Sequence, residues 1–275
     1  FDEPTACGIG MADEDPVFET TTGPVRVITA ASLFDGHDAA INVMRRLIQS
    51  SGAEVIHLGH DQSAKAVVDC AVQEDAHAVA LTSYQGGHVE YFTYIRQLLD
   101  EAGCEHVRIF GGGGGTITPP EIRTLHQSGI SKIYSPDDGR TMGLMGMIHH
   151  LMGQASEVDL IGKERLASLD GPVTPDDMAK VGLLMTLSES ADDATFKAAV
   201  ETARSSEKEV PVIGFTGTGG AGKSSLLDEL MLRIQRDNPG KKVCLLCVDP
   251  TRKRTGGALL GDRIRMNSLS NNDLF

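Results

Sequence analysis

Two stretches of this sequence hold residue types that can do chemistry at their spacing. Gly217-Thr218-Gly219-Gly220-Ala221-Gly222-Lys223-Ser224 satisfies G-x-x-x-x-G-K-[ST]. Glycines there let backbone N–H groups curl around phosphate oxygens, and a helix starting at the lysine adds its positive end. Lys223 then reaches the β- and γ-phosphates of a nucleoside triphosphate, and the Ser224 hydroxyl reaches Mg²⁺. The expected nucleotide contacts are Gly217, Gly219, Gly220, Ala221, Gly222, Lys223, Ser224 and Ser225. The second stretch is Asp35-x-His37. A carboxylate holding one imidazole nitrogen fixes the tautomer and makes the other nitrogen a better metal donor. Asp249 and Asp262 are acids downstream of the glycine loop, and each either serves a Mg²⁺ or merely closes a turn.

The elements that must position these residues follow from periodicity. Strands are expected at Val25–Leu33, Glu54–Leu58, Ala76–Ser83, Val107–Phe110 and Lys132–Tyr134. Helices are expected at Asp38–Ser50, Ser63–Gln73, Val89–Glu101, Pro120–Gln127 and Thr141–Met152. Five strands each followed by a helix imply an α/β domain with a parallel sheet, in the flavodoxin-like (Rossmann-like) order 2-1-3-4-5. Ligands of such sheets sit beyond the carboxyl ends of the strands, where strand order reverses. Asp35 and His37 follow the first strand, Thr82 and Ser83 end the third, and Gly111 to Gly115 follow the fourth. Five consecutive glycines are conformationally costly, so something must approach that backbone closely. Thr82 and Ser83 stand where a response-regulator receiver needs its phosphorylatable aspartate, which disfavours a receiver joined to an ATPase. Asp35-Gly36-His37 is likewise unlike a flavodoxin phosphate loop.

The organisation reads as a disordered lead-in over 1–22, the α/β domain over 23–153, a helical linker over 154–208, and the start of a P-loop α/β domain over 209–275. In the linker, helices are expected near 175–187 and 192–204, with Thr174 as N-cap. The last part should hold strands Val210–Thr216 and Val243–Val248 flanking a helix that runs to about Arg236. Charge divides the same way: net −17 up to residue 209 and +4 beyond it, for −13 in all. An acidic body repels nucleic acid and acidic membrane surfaces, so neither is an expected partner. Five scattered cysteines fit a reducing cytoplasm. Cys244 and Cys247 lie three apart on an expected strand and so point to opposite faces, which argues against joint chelation. His57, His60, His126, His149 and His150 lack matching partners in the sequence and are given no role. The 275 residues are too few for these domains plus a (β/α)₈ barrel, which needs about 250 alone.

Asp35, His37, Ser83 and the pair Gly111-Gly112 resemble, in order and spacing, the pattern of cobalamin-binding domains. Ala40 departs from it, standing where that family has a glycine. With a P-loop segment after the linker, the chain resembles adenosylcobalamin-dependent acyl-CoA mutases fused to a metallochaperone-type GTPase. Ser83-Tyr84-Gln85-Gly86-Gly87-His88, Ser135-Pro136-Asp137-Asp138-Gly139 and Thr255-Gly256-Gly257-Ala258-Leu259-Leu260-Gly261-Asp262 carry that likeness. The resemblance implies that His37 coordinates the cobalt of adenosylcobalamin in place of the cofactor's own base, with Asp35 behind it. Ser83, Gly111 and Gly112 would house the displaced tail. It also makes Ser224, Asp249 and Asp262 ligands of the Mg²⁺ that accompanies GTP. The whole protein would interconvert isobutyryl-CoA and n-butyryl-CoA by a radical 1,2-rearrangement, with GTP hydrolysis to GDP gating cofactor loading. Such a protein would be a homodimer, take its cofactor from an adenosyltransferase, and bind its acyl-CoA substrate in a barrel outside this N-terminal part. A non-catalytic cobalamin carrier with a partner-dependent G-domain is the alternative.

Overall fold

The computed structural model describes residues 16, 18–174, 176–204, 210–218, 220–241 and 243–246. The chain divides into two compact units between residues 207 and 208.

The first unit is built on a five-stranded parallel sheet. Its strands are β1 (Arg26–Ser32), β2 (Glu54–Gln62), β3 (Ala78–Thr82), β4 (Arg108–Gly112) and β5 (Lys132–Tyr134). They lie in the order β2-β1-β3-β4-β5, the doubly wound order expected from the sequence. The β1 and β3 strands are buried nearly throughout because parallel strands are covered on both faces. Helices α1 (Asp38–Ser50) and α5 (Pro136–Ser156) cover one face. There Val27, Ala78, Ala80 and Phe110 meet Ile48, Ile148 and Leu151. Helices α2 (Ala64–Gln73), α3 (His88–Glu101) and α4 (Pro119–Gln127) cover the other. On that side Ile28, Val79 and Ile109 pack with Val67, Phe92, Ile95 and Leu125. Each fully buried Phe or Ile contributes about 1.5–3 kcal/mol.

Helix starts follow their capping residues. Ser63 accepts the Ala66 N–H at the head of α2. Ser135 and Asp138 form a reciprocal capping box at α5, with Pro136 at the first turn. Helix α5 begins five residues before its expected start and breaks at Gly143, whose φ is 67°. Strand β2 runs four residues beyond its expected end. Its pairing with β1 steps from Thr29↔His57 to Ala30↔Gly59 and then to Ser32↔Gln62, so β2 gains one extra residue at each of two bulges. Gly59, at φ 90°, allows the first of these.

Three expectations are corrected. Residues 18–22, read as part of a disordered lead-in, are structured: Glu19–Thr20 pairs antiparallel with Gly23–Pro24, and Phe18 packs against His149. The stretch read as a linker holds α6 (Lys163–Ala167), α7 (Met178–Ser190) and α8 (Asp193–Ala203), which form their own apolar cluster around Leu169, Leu183 and Leu187. Arg165 and Thr186 both bond Asp75, fixing these helices to the sheet domain. In the second unit, α9 (Lys223–Asp237) forms as expected. The described residues of the flanking segments, 210–216 and 243–246, are not strands. Val212 is 94% exposed. A parallel strand needs a paired neighbour to satisfy its backbone, and the described residues supply none. No helix among the described residues is long and apolar enough to cross a membrane.

Candidate functional site: an Asp–His pair beside a glycine-lined cavity

The turn after β1 places Asp35 with no exposed surface. Its Oδ1 accepts the backbone N–H of His37 (2.9 Å) and the ring Nδ1–H of His37 (2.7 Å). Oδ2 accepts the backbone N–H of Tyr84 at 2.6 Å. Burial opposes charge on this carboxyl, but the Tyr84 and His37 N–H groups and the imidazole outweigh it and hold its pKa below the ordinary range. An ionised Asp35 fixes the proton of His37 on Nδ1, leaving Nε2 with its lone pair. The His37 side chain is 65% exposed, and its ring leans on Tyr84 with centroids 5.6 Å apart. A donor nitrogen is therefore presented outward from a rigid base. A single such imidazole suits a metal whose other ligands come from a macrocycle.

Beside the pair lies a cavity of about 580 Å³ between α1, α5 and the carboxyl ends of β3, β4 and β5. Its wall is mainly apolar, from Ile41, Met44, Phe110, Leu144 and Met147, with Gly111 to Gly114 at one side. Gly112 shares the cavity face with Phe110 two residues earlier, so any side chain there would enter the space. A Cβ on Gly111 would stand 2.4 Å from the Phe92 ring, and one on Gly113 would stand 1.9 Å from the Ser83 carbonyl oxygen. The glycine run is thus demanded by close approach at these two positions. Ala40 also lines the cavity, where its methyl group takes a little of the volume. Thr82 lines it too, and its buried hydroxyl has no hydrogen-bond partner among the described residues. Ser83, 1% exposed, accepts a hydrogen bond from the Ser32 hydroxyl (2.8 Å) and keeps its own proton to donate. Asp35, His37, Ser83, Gly111 and Gly112 therefore converge at one edge of the sheet.

Sequence reasoning placed Thr82 at this strand end without giving it a role, and it missed Ser32 and Tyr84 as parts of the site. Tyr84 adjoins Ser83 in the quoted stretch, but nothing local shows that its N–H reaches across to Asp35. Three of the histidines given no role have structural partners. Thr29 Oγ1 lies 2.9 Å from His57 Nδ1, His126 accepts the Ile133 N–H, and Tyr134 Oη lies 2.9 Å from His150 Nδ1.

In the second unit the loop before α9 has Gly220 and Gly222 in the left-handed region. Lys223 Nζ donates to the carbonyls of Gly217 (2.8 Å) and Thr218 (2.9 Å), arching back over the loop. Ala221 lies in the loop, and Ser224 and Ser225 lie in the first turn of the helix. Gly219, Asp249, Asp262 and Cys247 lie outside the described residues.

Comparison with known proteins matches a family to each of these two regions. The B12 binding domain family matches residues 25–139, and the methylmalonyl Co-A mutase-associated GTPase MeaB family matches 181–274. The second match begins inside α7, ahead of the P-loop. A fused isobutyryl-CoA mutase from Geobacillus kaustophilus is 51% identical over 255 residues, covering 90% of this chain and 23% of the relative. One from Nocardia farcinica is 52% identical over 253 residues, covering 92% of this chain and again 23% of the relative. A 2-hydroxyisobutanoyl-CoA mutase small subunit from Aquincola tertiaricarbonis is 33% identical over 115 residues, 42% of this chain and 82% of that subunit. The chain spans about a quarter of the length of the fused relatives. It belongs to the fused isobutyryl-CoA mutase family, as a segment that carries a B12-binding domain followed by a MeaB GTPase region.

Proposed function

We propose that the first unit binds adenosylcobalamin, whose cobalt His37 would coordinate, and that the whole protein interconverts isobutyryl-CoA and n-butyryl-CoA. The observation that carries this reading is the outward Nε2 of His37, whose ring is tethered at 2.7 Å to a buried carboxylate beside an apolar cavity. The residues fit such a cofactor. A cavity of about 580 Å³ with a partnerless Thr82 hydroxyl suits an aromatic base bearing a few polar atoms. The glycine edge lets that tail pass close to backbone. When bound, the cofactor supplies homolysis of its cobalt–carbon bond, which is chemistry of the cofactor itself. This chain's residues hold and orient it. Asp35 keeps the Nδ1 proton on His37 and fixes the ring direction, Tyr84 braces the ring, and the Ser83 hydroxyl and Gly111–Gly112 edge receive the tail.

The second unit is proposed to bind GTP with Mg²⁺ through the loop at 217–225, with Asp249 and Asp262 completing the Mg²⁺ ligands, and to gate cofactor loading by hydrolysis. The acyl-CoA site, a homodimeric assembly, an adenosyltransferase donor and a cytoplasmic setting belong to the same proposal for the whole protein. The MeaB match and the loop glycines support the nucleotide part.

The test is spectroscopic. Adenosylcobalamin added to the chain should bind with its own base displaced and histidine attached, while His37→Ala should lose that spectrum. Identical spectra for the two proteins would sink the assignment.

A further inference from the structure

We infer that Asp61 is a positioning residue for the Asp35–His37 pair. Among the described residues only three non-glycine residues occupy the left-handed region, and two of them, Phe34 (φ 63°) and Asp61 (φ 55°), face each other here. An aromatic residue rarely adopts that conformation unless its surroundings impose it. Asp61 imposes it through two hydrogen bonds. Its Oδ1 accepts the Phe34 N–H at 2.7 Å, and its own N–H donates to the Asp35 carbonyl oxygen at 3.2 Å. The Phe34–Asp35 segment is thereby gripped from the β2 side, at the N–H that enters it and the carbonyl that leaves it. The Asp35 carboxylate is gripped from the other side by Tyr84 and His37. The direction of the imidazole thus rests on a turn locked at both ends.

The bulges in β2 explain how an acid from the neighbouring strand arrives there. The second extra residue falls between Gly59 and Gln62, turning that segment so that Asp61 meets the β1 turn instead of continuing the ladder. Asp61 is exposed and makes no ion pair among the described residues, so surface charge does not account for its geometry. Phe34, held in its strained conformation, stays 79% exposed, so packing of its ring does not hold the turn either.

The inference deepens the cobalamin reading and rests on it for its purpose, but its test does not need the cofactor. The full chain with ¹⁵N-labelled histidine reports the His37 tautomer by NMR, with His37→Ala assigning the signal. The parent should show the Nδ1–H form. Asp61→Asn keeps an acceptor and tolerates the left-handed region, so it should match the parent. Asp61→Gly frees the backbone but removes the acceptor, and with Asp61→Ala it should lose the tautomer bias while circular dichroism is unchanged. A parental tautomer in both Asp61→Gly and Asp61→Ala would overturn the inference. In cobalamin titrations Asp61→Ala should bind about tenfold more weakly, the lower range for loss of a group supporting a metal ligand. Failure of the parent itself to bind would defeat the cobalamin reading, and the tautomer measurement would still decide the role of Asp61.

Discussion

Two aspartates are buried at opposite ends of the same sheet, and they do opposite things. Asp35, at the carboxyl end, has no exposed surface and binds two backbone N–H groups and one imidazole whose other face looks outward. Asp75, at the amino end, is 4% exposed and is surrounded by inward-facing partners. Arg165 Nη2 lies 2.6 Å and Thr186 Oγ1 2.7 Å from it, with Arg26 and His106 each at 3.9 Å. Arg26 closes the ring by donating to Thr186 at 2.8 Å. Both sites contain a buried acid and a histidine, so residue type does not separate them. What separates them is whether a partner retains an unused atom facing outward. At Asp75 every group is consumed in holding α6 and α7 to the sheet. At Asp35 one nitrogen is left for a ligand.

Alanine at each position should expose that difference, with the largest effect at the amino end. Asp75→Ala strands Arg26 and Arg165 in a buried setting and should cost about 3–5 kcal/mol in urea unfolding, as for other broken buried ion pairs. Any folded fraction should still give the histidine-attached cobalamin spectrum. Asp35→Ala leaves buried N–H groups without acceptors, so it should cost about 1–3 kcal/mol and abolish that spectrum. Equal stability losses with equal spectra would erase the distinction.

The pH dependence separates the ends next. Burial and the guanidinium of Arg26 lower the His77 pKa to about 4, and burial with Arg165 lowers that of His106 to about 3, from an ordinary value near 6.5. His77 stays neutral because Nδ1 accepts the Arg26 N–H. Below pH 6.5 the unfolded chain takes up these protons and the folded chain does not, so stability falls as pH drops from 6.5 toward 4. Each histidine contributes a slope of at most about 1.4 kcal/mol per pH unit. The lowered Asp35 carboxyl works in a different window. Its contribution is complete above its ordinary 3.8 and declines only as pH falls through the lower folded value. Unfolding midpoints at pH 7 and pH 5 should therefore differ in the parent. The difference should shrink in His77→Gln and again in His106→Gln. An unchanged pH difference in those variants would show that the amino end does not set it.

The carboxyl end was legible in the sequence and the amino end was not, for a physical reason. Asp35 and His37 are two residues apart in a turn whose place follows from strand order, so local spacing and sheet topology suffice. Asp75, Arg26, His106, Arg165 and Thr186 come from five separate segments. No pattern along the chain brings them together before α6 and α7 dock, and so 154–208 reads as a linker. Strand β2 was cut short for a related reason. Alternation stops at Leu58 because the bulges shift its phase, yet the backbone continues to pair as far as Gln62. Segments 210–216 and 243–246 err in the opposite sense. Their apolar runs have strand character, but a strand exists only where a neighbour pairs with it.

The smallest predicted effect tests how far the outward-looking end depends on its glycines. The run Gly111 to Gly115 reads as uniform, yet its members meet different surroundings. A Cβ at Gly113 would stand 1.9 Å from the Ser83 carbonyl oxygen, which is backbone and cannot swing aside, whereas a Cβ at Gly115 would meet nothing within 4 Å. Gly113→Ala should therefore displace the β3 end that carries Thr82 and Ser83. It should cost about 1–3 kcal/mol, as for other insertions into tightly packed sites, and weaken cobalamin binding. Gly115→Ala meets no such obstacle and restricts the unfolded chain, so it should be neutral or stabilising by about 0.4–1 kcal/mol with cobalamin affinity unchanged. Thermal unfolding and cobalamin titration of the two variants check this directly. If Gly115→Ala proves as damaging as Gly113→Ala, the loop is needed for its flexibility as a whole, and close approach at individual positions is not what demands the glycines.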